Sequence, residues 1–385
     1  MKIVHICLCG AMTDGFNYQE NIIAKYHKKM GYEVTIIASQ WIWGTDGKLM
    51  VTDKSEYYNA DGIKMLRIPT KSGNVDKRLK SYPKLYDTVK SENPDILFVH
   101  DCQFLDITTL ARYARSHPET RLYVDNHVDY SNGAHGWISK NILHKGLWKY
   151  CIRKIEPYVT EFYGVLPARV DFLREMYNLP PEKCKLLVMG ADDELVERAS
   201  APEIKKQVRE KYEIKPDDFL IMTGGKIDAW KTQTLLLMEA IQKINADNVK
   251  LIVFGSVTEE LKDKVAALAD GKKVQYIGWV DASQSYDLFA AADLVVFPGR
   301  HSVFWEQVTG QGIPMIVKDW PGTHHVDLGG NVLFLHEDSA KEIEEKIRQV
   351  AFDKEYYSKM KKVAEKKGMQ VFSYREIAKR AIEKR

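Results

Sequence analysis

The sequence predicts an α/β protein with two Rossmann-like, doubly wound domains that face each other across a cleft. Short apolar runs alternate along the chain with segments of helical periodicity, and most runs end in small or polar residues. The runs are apolar throughout instead of alternating, which is typical of parallel strands covered by helices on both faces. With 385 residues, the chain is also longer than one ordinary domain.

In the first half, an apolar run at residues 3–8 leads into a helical pattern at 18–30 and a second strand at 33–38. The same rhythm continues with a strand at 95–100, a helix at 104–116 and a strand at 121–126. The second half repeats it, with strands expected at 219–223, 249–254, 274–277, 294–297 and 315–317. We expect domains over 1–190 and 191–365, joined through the polar stretch 190–202.

Composition excludes several classes of protein. The net charge is only +3, so no global field points to nucleic acid. The five scattered cysteines favour free thiols in a reducing compartment. We expect no secretory leader and no spanning helix, and therefore a cytoplasmic protein that could also lie at the inner face of a membrane.

A glycine turn follows the strand at 219–223. Gly224 and Gly225 are followed by Lys226, and Lys231 lies near the start of the next helix. Two ammonium groups, backbone N–H groups and a helix terminus together suit a diphosphate. The alternative is an ordinary surface turn that carries lysines.

A second polar segment follows the strand at 294–297. His301, Ser302 and Val303 offer donors to a phosphate or a sugar, and a carboxylate at Glu306 could accept both hydroxyls of a ribose. The alternative is a helix that carries one exposed glutamate.

These motifs, taken in order, resemble the family-4 retaining glycosyltransferases, which have the GT-B fold. The similarity covers nearly the whole chain. The motifs that carry it are Asp95-Ile96-Leu97-Phe98-Val99-His100, Asp125-Asn126-His127-Val128-Asp129, Met189-Gly190-Ala191-Asp192, Gly224-Gly225-Lys226 with Lys231, Tyr276-Ile277-Gly278-Trp279-Val280 and Ala292-Asp293-Leu294-Val295-Val296-Phe297-Pro298.

The resemblance implies a retaining hexosyl transfer from a nucleotide-diphosphate sugar to a saccharide or lipid-linked saccharide, in surface polysaccharide or glycan synthesis. It implies no metal and no cofactor beyond the donor. Lys226 and Lys231 would neutralise the departing diphosphate, and His127 would face the donor sugar. In this architecture the final segment, 366–385, often packs back on the first domain.

The family commonly has two glutamates separated by seven residues, and only the second has a counterpart here. Gln307 takes its place by direct counting from Pro314, whereas Glu306 takes it if one residue is inserted. We favour Glu306, because a carboxylate binds a diol better than an amide does. The base would contact Trp279 and Val280.

Acceptor contacts are expected after the first strand, from Gly10, Asp14, Gly15 and Asn17, and from Asp129 beside His127. The loop could equally be a flexible connection, and His127 a core histidine. His324 and His325 are expected to border the donor site. The apolar and basic segment 137–155 favours a core-facing helix, with an anionic membrane surface as the alternative.

Two other functions share this architecture. A nucleotide-sugar epimerase would release nucleotide without an acceptor, and a non-catalytic binder of nucleotide sugars would show neither transfer nor hydrolysis. A dinucleotide dehydrogenase is disfavoured, because no Gly-x-Gly-x-x-Gly follows the first strand.

Overall fold

A computed structural model describes residues 1–44, 48–71 and 80–383. The chain forms two compact units. One comprises Met1–Val188 with Ile377–Arg385, and the other Met189–Glu376. Within the described ranges, no helix is both long enough and apolar enough to cross a membrane.

The first unit contains ten strands and five α-helices in the described residues, together with a π-helix, Ser139–Trp148, and 3-10 turns at Glu156–Tyr158 and Pro181–Lys183. The strands are β1 (Lys2–Cys7), β2 (Glu33–Ser39), β3 (Trp41–Trp43), β4 (Leu49–Val51), β5 (Glu56–Tyr58), β6 (Lys64–Ile68), β7 (Ile96–Val99), β8 (Arg121–Asn126), β9 (Glu161–Gly164) and β10 (Cys184–Leu186). The helices are α1 (Gln19–Lys29), α2 (Leu85–Glu92), α3 (Ile107–Ser116), α4 (Lys149–Ile155) and α5 (Pro167–Tyr177).

Eight of these strands form one sheet in the order β10-β9-β8-β7-β1-β2-β6-β5, which is parallel except for β5. The short strands β3 and β4 form a separate antiparallel pair. The chain builds outward from β1 to β2 on one side and returns to β7 on the other. A crevice therefore opens at the carboxyl ends of β1 and β7, where the strand order reverses.

The second unit alternates strands and helices throughout, with 3-10 turns at Glu259–Leu261 and His324–Val326. Its strands are β11 (Phe219–Gly224), β12 (Val249–Phe254), β13 (Val274–Tyr276), β14 (Leu294–Phe297), β15 (Met315–Lys318) and β16 (Val332–Leu335). Its helices are α6 (Asp193–Ala199), α7 (Pro202–Lys211), α8 (Gln233–Lys243), α9 (Lys262–Leu268), α10 (Ala282–Ala291), α11 (Phe304–Gly310), α12 (Ala340–Phe352) and α13 (Lys354–Phe372), and α14 (Tyr374–Arg380) follows as the chain returns to the first unit.

The second sheet is parallel throughout, in the order β13-β12-β11-β14-β15-β16. Its strand order reverses between β11 and β14, so a second crevice lies at the carboxyl ends of those two strands. The strands β7, β9 and β14 are buried along their whole length. Both halves are thus the doubly wound α/β structures that the sequence predicts.

Three details differ from the sequence-based expectations. The linker expected at 190–202 contains helix α6, and the Asp192 side chain at its start accepts a hydrogen bond from the Glu194 N–H. The segment 366–385 divides at Ile377, where the first unit resumes, and its last two residues lie outside the described range. The π-helix shifts the phase of segment 137–155, so Ile138 and Ile142 are exposed whereas Trp148 is buried.

One close contact fixes the helix that carries Glu306. A Cβ atom added to Gly368 of α13 would lie 2.2 Å from the Thr309 carbonyl oxygen and 3.2 Å from that of Gly310. The backbones of α11 and α13 therefore approach each other without an intervening side chain.

We predict that Gly368→Ala lowers the free energy of unfolding by about 1–3 kcal/mol, because the added methyl group overpacks the α11–α13 contact. An alanine at an unconstrained helix position would instead stabilise by about 1 kcal/mol. Gly146→Ala is the matched control, since the nearest atom to its added Cβ lies at 4.0 Å. Denaturant titration measures both, and a stabilised Gly368→Ala would contradict the contact.

Candidate functional site

The crevice of the second unit forms a small polar pocket. Its lining residues come from the ends of β11 and β12 and from the segment after β14: Thr223, Gly224, Gly225, Lys226, Ile227, Lys231, Thr234, Val253, Phe254, Phe297, Pro298, Gly299, Arg300 and Ser302. The pocket therefore brings together the glycine turn and the second polar segment, which lie far apart in the sequence.

Three cationic side chains line this pocket. Lys226 contacts Asp228 at 3.5 Å, and the Arg300 guanidinium carbon lies 4.9 Å from the ring centroid of Trp230. Burial lowers the pKa of Lys231; Asp228 opposes this shift, while Arg300 and Lys226 add to it. Three cations near one carboxylate give the pocket an excess of positive charge, which suits an anion with more than one charge.

The glycine turn shapes the pocket by leaving room for close packing, and two of its N–H groups donate within the fold. The Gly225 N–H donates to the Phe254 carbonyl at 3.0 Å, and the Ile227 N–H donates to that of Ser256 at 2.8 Å. A Cβ on Gly224 would lie 2.3 Å from the Phe254 ring. These two N–H groups are occupied within the fold and are not available to an anion in this conformation.

The segment after β14 divides between two environments. Ser302 lines the pocket, and Val303 is largely exposed. His301 points instead toward α11, where its Nε2 lies 2.8 Å from Glu306 Oε1. His325 Nε2 lies 2.8 Å from the same oxygen. His325 thus lies on the buried side of the segment that follows β14, next to Glu306, whereas His324 contacts Asp319.

Glu306 is fully buried, and its Oε2 has no hydrogen-bond partner among the described residues. Burial opposes ionisation, but the charge and hydrogen bond of His301, together with His325, hold the pKa of this carboxyl well below its usual range. The carboxylate therefore ties His301 and His325 together. The ribose contact predicted for Glu306 stays a prediction, and it requires a change that exposes one of its oxygens.

His301, Glu306 and His325 could also be considered as metal ligands, since their ligand atoms lie within 4.8 Å of one another. Ligand atoms around a tetrahedral zinc ion lie about 3.3 Å apart, because each is about 2.0–2.2 Å from the metal. The 2.8 Å separations from Glu306 Oε1 are instead ordinary hydrogen-bond distances. The cluster is therefore satisfied in part by its own hydrogen bonds, and the expectation of no metal stays a prediction.

The other predicted donor residues have separate surroundings. The Gln307 amide is buried and donates to Ser285 Oγ at 3.1 Å, so it serves the packing of α11 in this conformation. Trp279 is exposed, and Val280 is partly exposed beside it, in the loop after β13. The base contact predicted for Trp279 and Val280 stays a prediction.

The crevice of the first unit holds a cavity of about 270 Å³. Residues that follow β1, β7 and β8, together with the start of α1, line it: Cys7, Cys9, Gly10, Ala11, Met12, Tyr18, Glu20, His100, Asp101 and His127. His127, which sequence reasoning placed against a sugar, therefore faces a cavity and is not a core residue.

A buried carboxylate controls the charge of His127. Asp125 Oδ1 lies 3.4 Å from His127 Nε2, and Asp125 Oδ2 lies 2.8 Å from His100 Nδ1. Burial alone would lower the pKa of His127, but the charge of Asp125 and its hydrogen bond raise it to about 9. Burial also opposes ionisation of Asp125, yet His100 and His127 hold the pKa of its carboxyl well below the usual range. We therefore expect His127 to be an imidazolium at neutral pH.

Asp101 completes this cluster. Its backbone N–H donates to Asp125 Oδ1 at 2.8 Å, and its Oδ1 accepts a hydrogen bond from the His127 N–H at 2.7 Å. Asp101 has a φ of +61°, a left-handed conformation that is uncommon outside glycine and asparagine. The turn after β7 thus fixes the turn after β8.

Of the five predicted acceptor residues, Gly10 lines this cavity and the other four do not. Asp14 is bound to Arg67 at 2.9 Å and to the Tyr57 hydroxyl at 2.6 Å, and Gly15 follows it in the same turn. The side-chain nitrogen of Asn17 is buried without a hydrogen-bond partner among the described residues.

Asp129 has a local role as well. It accepts hydrogen bonds from the Ser131 N–H and hydroxyl and contacts Arg169 at 3.3 Å. The carboxylates of Asp14 and Asp129 therefore stabilise loops, and any contact of theirs with an acceptor stays a prediction.

Four polar residues are among the lining residues to which sequence reasoning did not commit. Arg300 and Thr234 lie in the second unit, and Glu20 and Asp101 in the first. Burial raises the pKa of the Glu20 carboxyl, against the opposing charges of His100 and His127. Sequence reasoning considered Arg300 only beside His301 and Ser302, as a replacement for the contacts of the missing first glutamate. Asp101 could have been found from its place shortly after β7, whereas Glu20 gives no such signal, because it lies on a helix.

Comparison with known proteins finds similarity to glycosyltransferases. Residues 204–367 match the family of glycosyl transferases group 1. An uncharacterized glycosyltransferase of Methanocaldococcus jannaschii is 24% identical over 152 residues, which cover 38% of this chain and 39% of that protein. The match thus spans about two fifths of the relative's length.

Solved structures share the whole fold. A glycosyltransferase from Rickettsia africae superposes with a TM-score of 0.70 at 17% identity, over 98% of this chain and 96% of that chain. HepE of Anabaena in complex with UDP gives a TM-score of 0.69 at 15% identity, over 99% and 98%. These solved structures show that the chain has the GT-B fold, and the family match lies within its second unit.

We predict that the thermal stability of the protein falls as the pH rises from about 6.5 through about 9, in part through His127. A histidine whose pKa is raised on folding stabilises the native state below its unfolded pKa, and this contribution is lost above the folded pKa. His127→Gln should flatten this alkaline decline. His117→Gln, which changes a histidine whose ring nitrogen contacts Tyr113 and Ser116, should not. Equal declines in wild type and His127→Gln would contradict the charged state of His127.

Proposed function

We propose that this chain is a retaining glycosyltransferase. It transfers a hexose from a nucleotide-diphosphate sugar to a saccharide or lipid-linked saccharide, in surface polysaccharide or glycan synthesis. The observation that carries the proposal is the pocket at the β11–β14 crevice, where Lys226, Lys231 and Arg300 converge. A diphosphate is the anion that this combination of charge and position suits best.

In this proposal the cations stabilise the charge that develops on the leaving diphosphate. Burial already removes part of the hydration of Lys231. Less water therefore has to be displaced when a phosphate binds to its ammonium group. Arg300 contributes a planar, permanently charged group that can bond two phosphate oxygens. Three cations are enough to neutralise the charge of a diphosphate, so we include neither a metal nor another cofactor.

His127 serves the sugar in this proposal. Its Nε2 faces Asp125, so its Nδ1–H is the group that donates to a hydroxyl of the bound sugar. Because Asp125 keeps the ring charged at neutral pH, this donor does not depend on the tautomer. Retention of configuration follows if the leaving diphosphate takes the acceptor proton on the face it departs from.

A partly exposed apolar surface supports a membrane contact. Trp137 is 72% exposed, Ile138 64% and Ile142 54%. Lys140 and Lys145 are exposed in the same segment. Apolar side chains beside ammonium groups suit an anionic lipid surface, so we propose that a cytoplasmic protein contacts the inner face of the membrane there and receives a lipid-linked acceptor.

We predict that nucleoside diphosphates raise the unfolding temperature of this protein, and that Lys231→Ala and Arg300→Ala each weaken their binding about tenfold or more. A charge-assisted hydrogen bond contributes about 1.5–3 kcal/mol, which corresponds to that loss. Thermal shift with UDP, GDP and ADP measures the binding and identifies the base. Lys243→Ala, an exposed lysine at the far end of α8, is the control.

Transfer itself is tested with the nucleotide sugar that binds and a panel of saccharide acceptors. A retained anomeric configuration in the product, measured by NMR, supports the proposal. Binding without transfer would favour the non-catalytic binder, and nucleotide release that needs no acceptor would favour the epimerase. No stabilisation by any nucleotide would overturn the assignment of the pocket.

We predict that the protein sediments with phosphatidylcholine vesicles only when an anionic phospholipid is added, and that Ile142→Glu abolishes this. A glutamate there places a negative charge on the proposed contact surface. Phe352→Glu is the matched control, because Phe352 is similarly exposed at the end of α12 in the other unit. Equal sedimentation of both variants would place any lipid contact elsewhere.

A further inference from the structure

A chain of buried imidazoles runs behind the cavity of the first unit, and the proposed reaction does not use it. His27 Nε2 lies 2.8 Å from the Ala378 carbonyl oxygen, and His27 Nδ1 lies 3.0 Å from His5 Nε2. His5 Nδ1 lies 2.9 Å from His100 Nε2, and His100 Nδ1 lies 2.8 Å from Asp125 Oδ2. His5 and His27 are fully buried, and His100 is almost so.

The number of hydrogens that this chain needs follows from its two ends. The Ala378 carbonyl and the Asp125 carboxylate can only accept, so each of the four contacts requires a hydrogen from one of the rings. Three neutral imidazoles carry only three such hydrogens. With neutral rings and an ionised Asp125, one pair of atoms would meet lone pair to lone pair in a buried site, which is strongly unfavourable.

We infer that the His27–His5–His100 chain holds one proton more than three neutral imidazoles, as an imidazolium at His100, and that His5 and His27 are positioning residues for Asp125 and His127. The role of His127 as a hydrogen-bond donor to the bound sugar rests on the proposed function. The proton inventory does not, because the need for four hydrogens follows from the hydrogen-bond distances, and the fourth lies on the rings when Asp125 is ionised, the form that His100 and His127 favour.

The surrounding charges place the extra proton at the Asp125 end. Burial lowers the pKa of His5 well below its ordinary value and that of His27 to about 4, so both rings are neutral at physiological pH. His100 is the ring that touches the carboxylate. Other charged groups face this end of the chain: Glu20, Asp101, His127 and, near His127, Arg169.

The extra proton also balances the cluster beside the cavity. Asp101 and Asp125 carry two negative charges, and the imidazolium rings of His100 and His127 carry two positive ones. Without the proton on His100, the carboxylates of Asp125 and Asp101 would have only one cation between them in this cluster, the imidazolium of His127. The chain therefore keeps Asp125 ionised and fixed, which in turn holds the His127 ring in its orientation.

The far end of the chain lies on the returning segment of the first unit. The Ile382 carbonyl there accepts hydrogen bonds from Arg121 at 3.1 Å and from the Tyr123 hydroxyl at 3.1 Å. The Ala378 carbonyl, in the same segment, accepts a hydrogen bond from His27 Nε2. The hydrogen that His27 donates to Ala378 is one of the four, so binding of this segment and the proton inventory depend on each other.

Nitrogen-15 NMR of the full-length protein labelled at histidine measures the inventory directly, because imidazolium and both neutral tautomers have distinct ring shifts. We expect one doubly protonated ring among His5, His27 and His100 at neutral pH, and we expect it to be His100. Three neutral rings would overturn the inference, since no ring would then carry the fourth hydrogen, and so would a charged ring at His5 or His27 with His100 neutral.

Two substitutions at one position sharpen the test. His5→Gln keeps an acceptor for His100 and a donor for His27, so His100 should stay doubly protonated. His5→Phe removes that acceptor, so His100 needs only its hydrogen to Asp125 and should become neutral. A charged His100 in both variants would show that its proton does not depend on the chain.

The readout needs neither nucleotide nor turnover, so it is independent of the proposed function. If His5→Phe does not fold, the wild-type and His5→Gln spectra still decide the count. Loss of transfer in His5→Phe with full transfer in His5→Gln would further support the positioning role. Equal transfer in both variants would contradict the positioning role of His5. The NMR spectra alone would then decide the number of protons on the three rings.

Discussion

The geometry of parallel sheets is the constraint on which both candidate sites depend. In a parallel sheet all strands end at one edge, and a crevice opens there only where the strand order reverses. In this chain that happens between β1 and β7 in one unit and between β11 and β14 in the other. The residues that follow these strands therefore converge, although they are separated in sequence by about a hundred residues in the first unit (Cys7 to His100) and about seventy in the second (Gly224 to Pro298).

The two crevices differ in their electrostatic character. Lys226, Lys231 and Arg300 leave the second one with an excess of positive charge. In the first, the buried carboxylate of Asp125 contacts two imidazoles, and the proton that we infer on His100 would balance the charges locally. An excess of charge suits a site that binds and releases a multiply charged anion, whereas a balanced cluster suits a site that must keep one donor in a fixed state.

Glu306 shows how burial changes the meaning of a residue. A carboxylate beside a sugar-binding segment invites a role in binding, but here it is fully enclosed and holds two imidazoles. One consequence is that His301 turns inward while Ser302, its neighbour, lines the pocket. The carboxylate thus determines which side chains of this short segment a ligand can reach.

The sequence determined the strands, their parallel character and the residues that end them, because these follow from local hydrophobicity and from glycine and polar residues at fixed offsets. It accordingly pointed to His127, Lys226, Lys231 and Gly224, which line the two crevices, and to a resemblance to glycosyltransferases. Tertiary structure decided what those residues touch. Asp14 and Asp129 became loop supports because Arg67 and Arg169 lie beside them in the fold, and Arg300 joined the lysines because β11 and β14 are neighbours in the sheet. The contacts of His5, His27 and His100 are likewise long-range, and no local pattern encodes a contact between residues that only the folded sheet brings together.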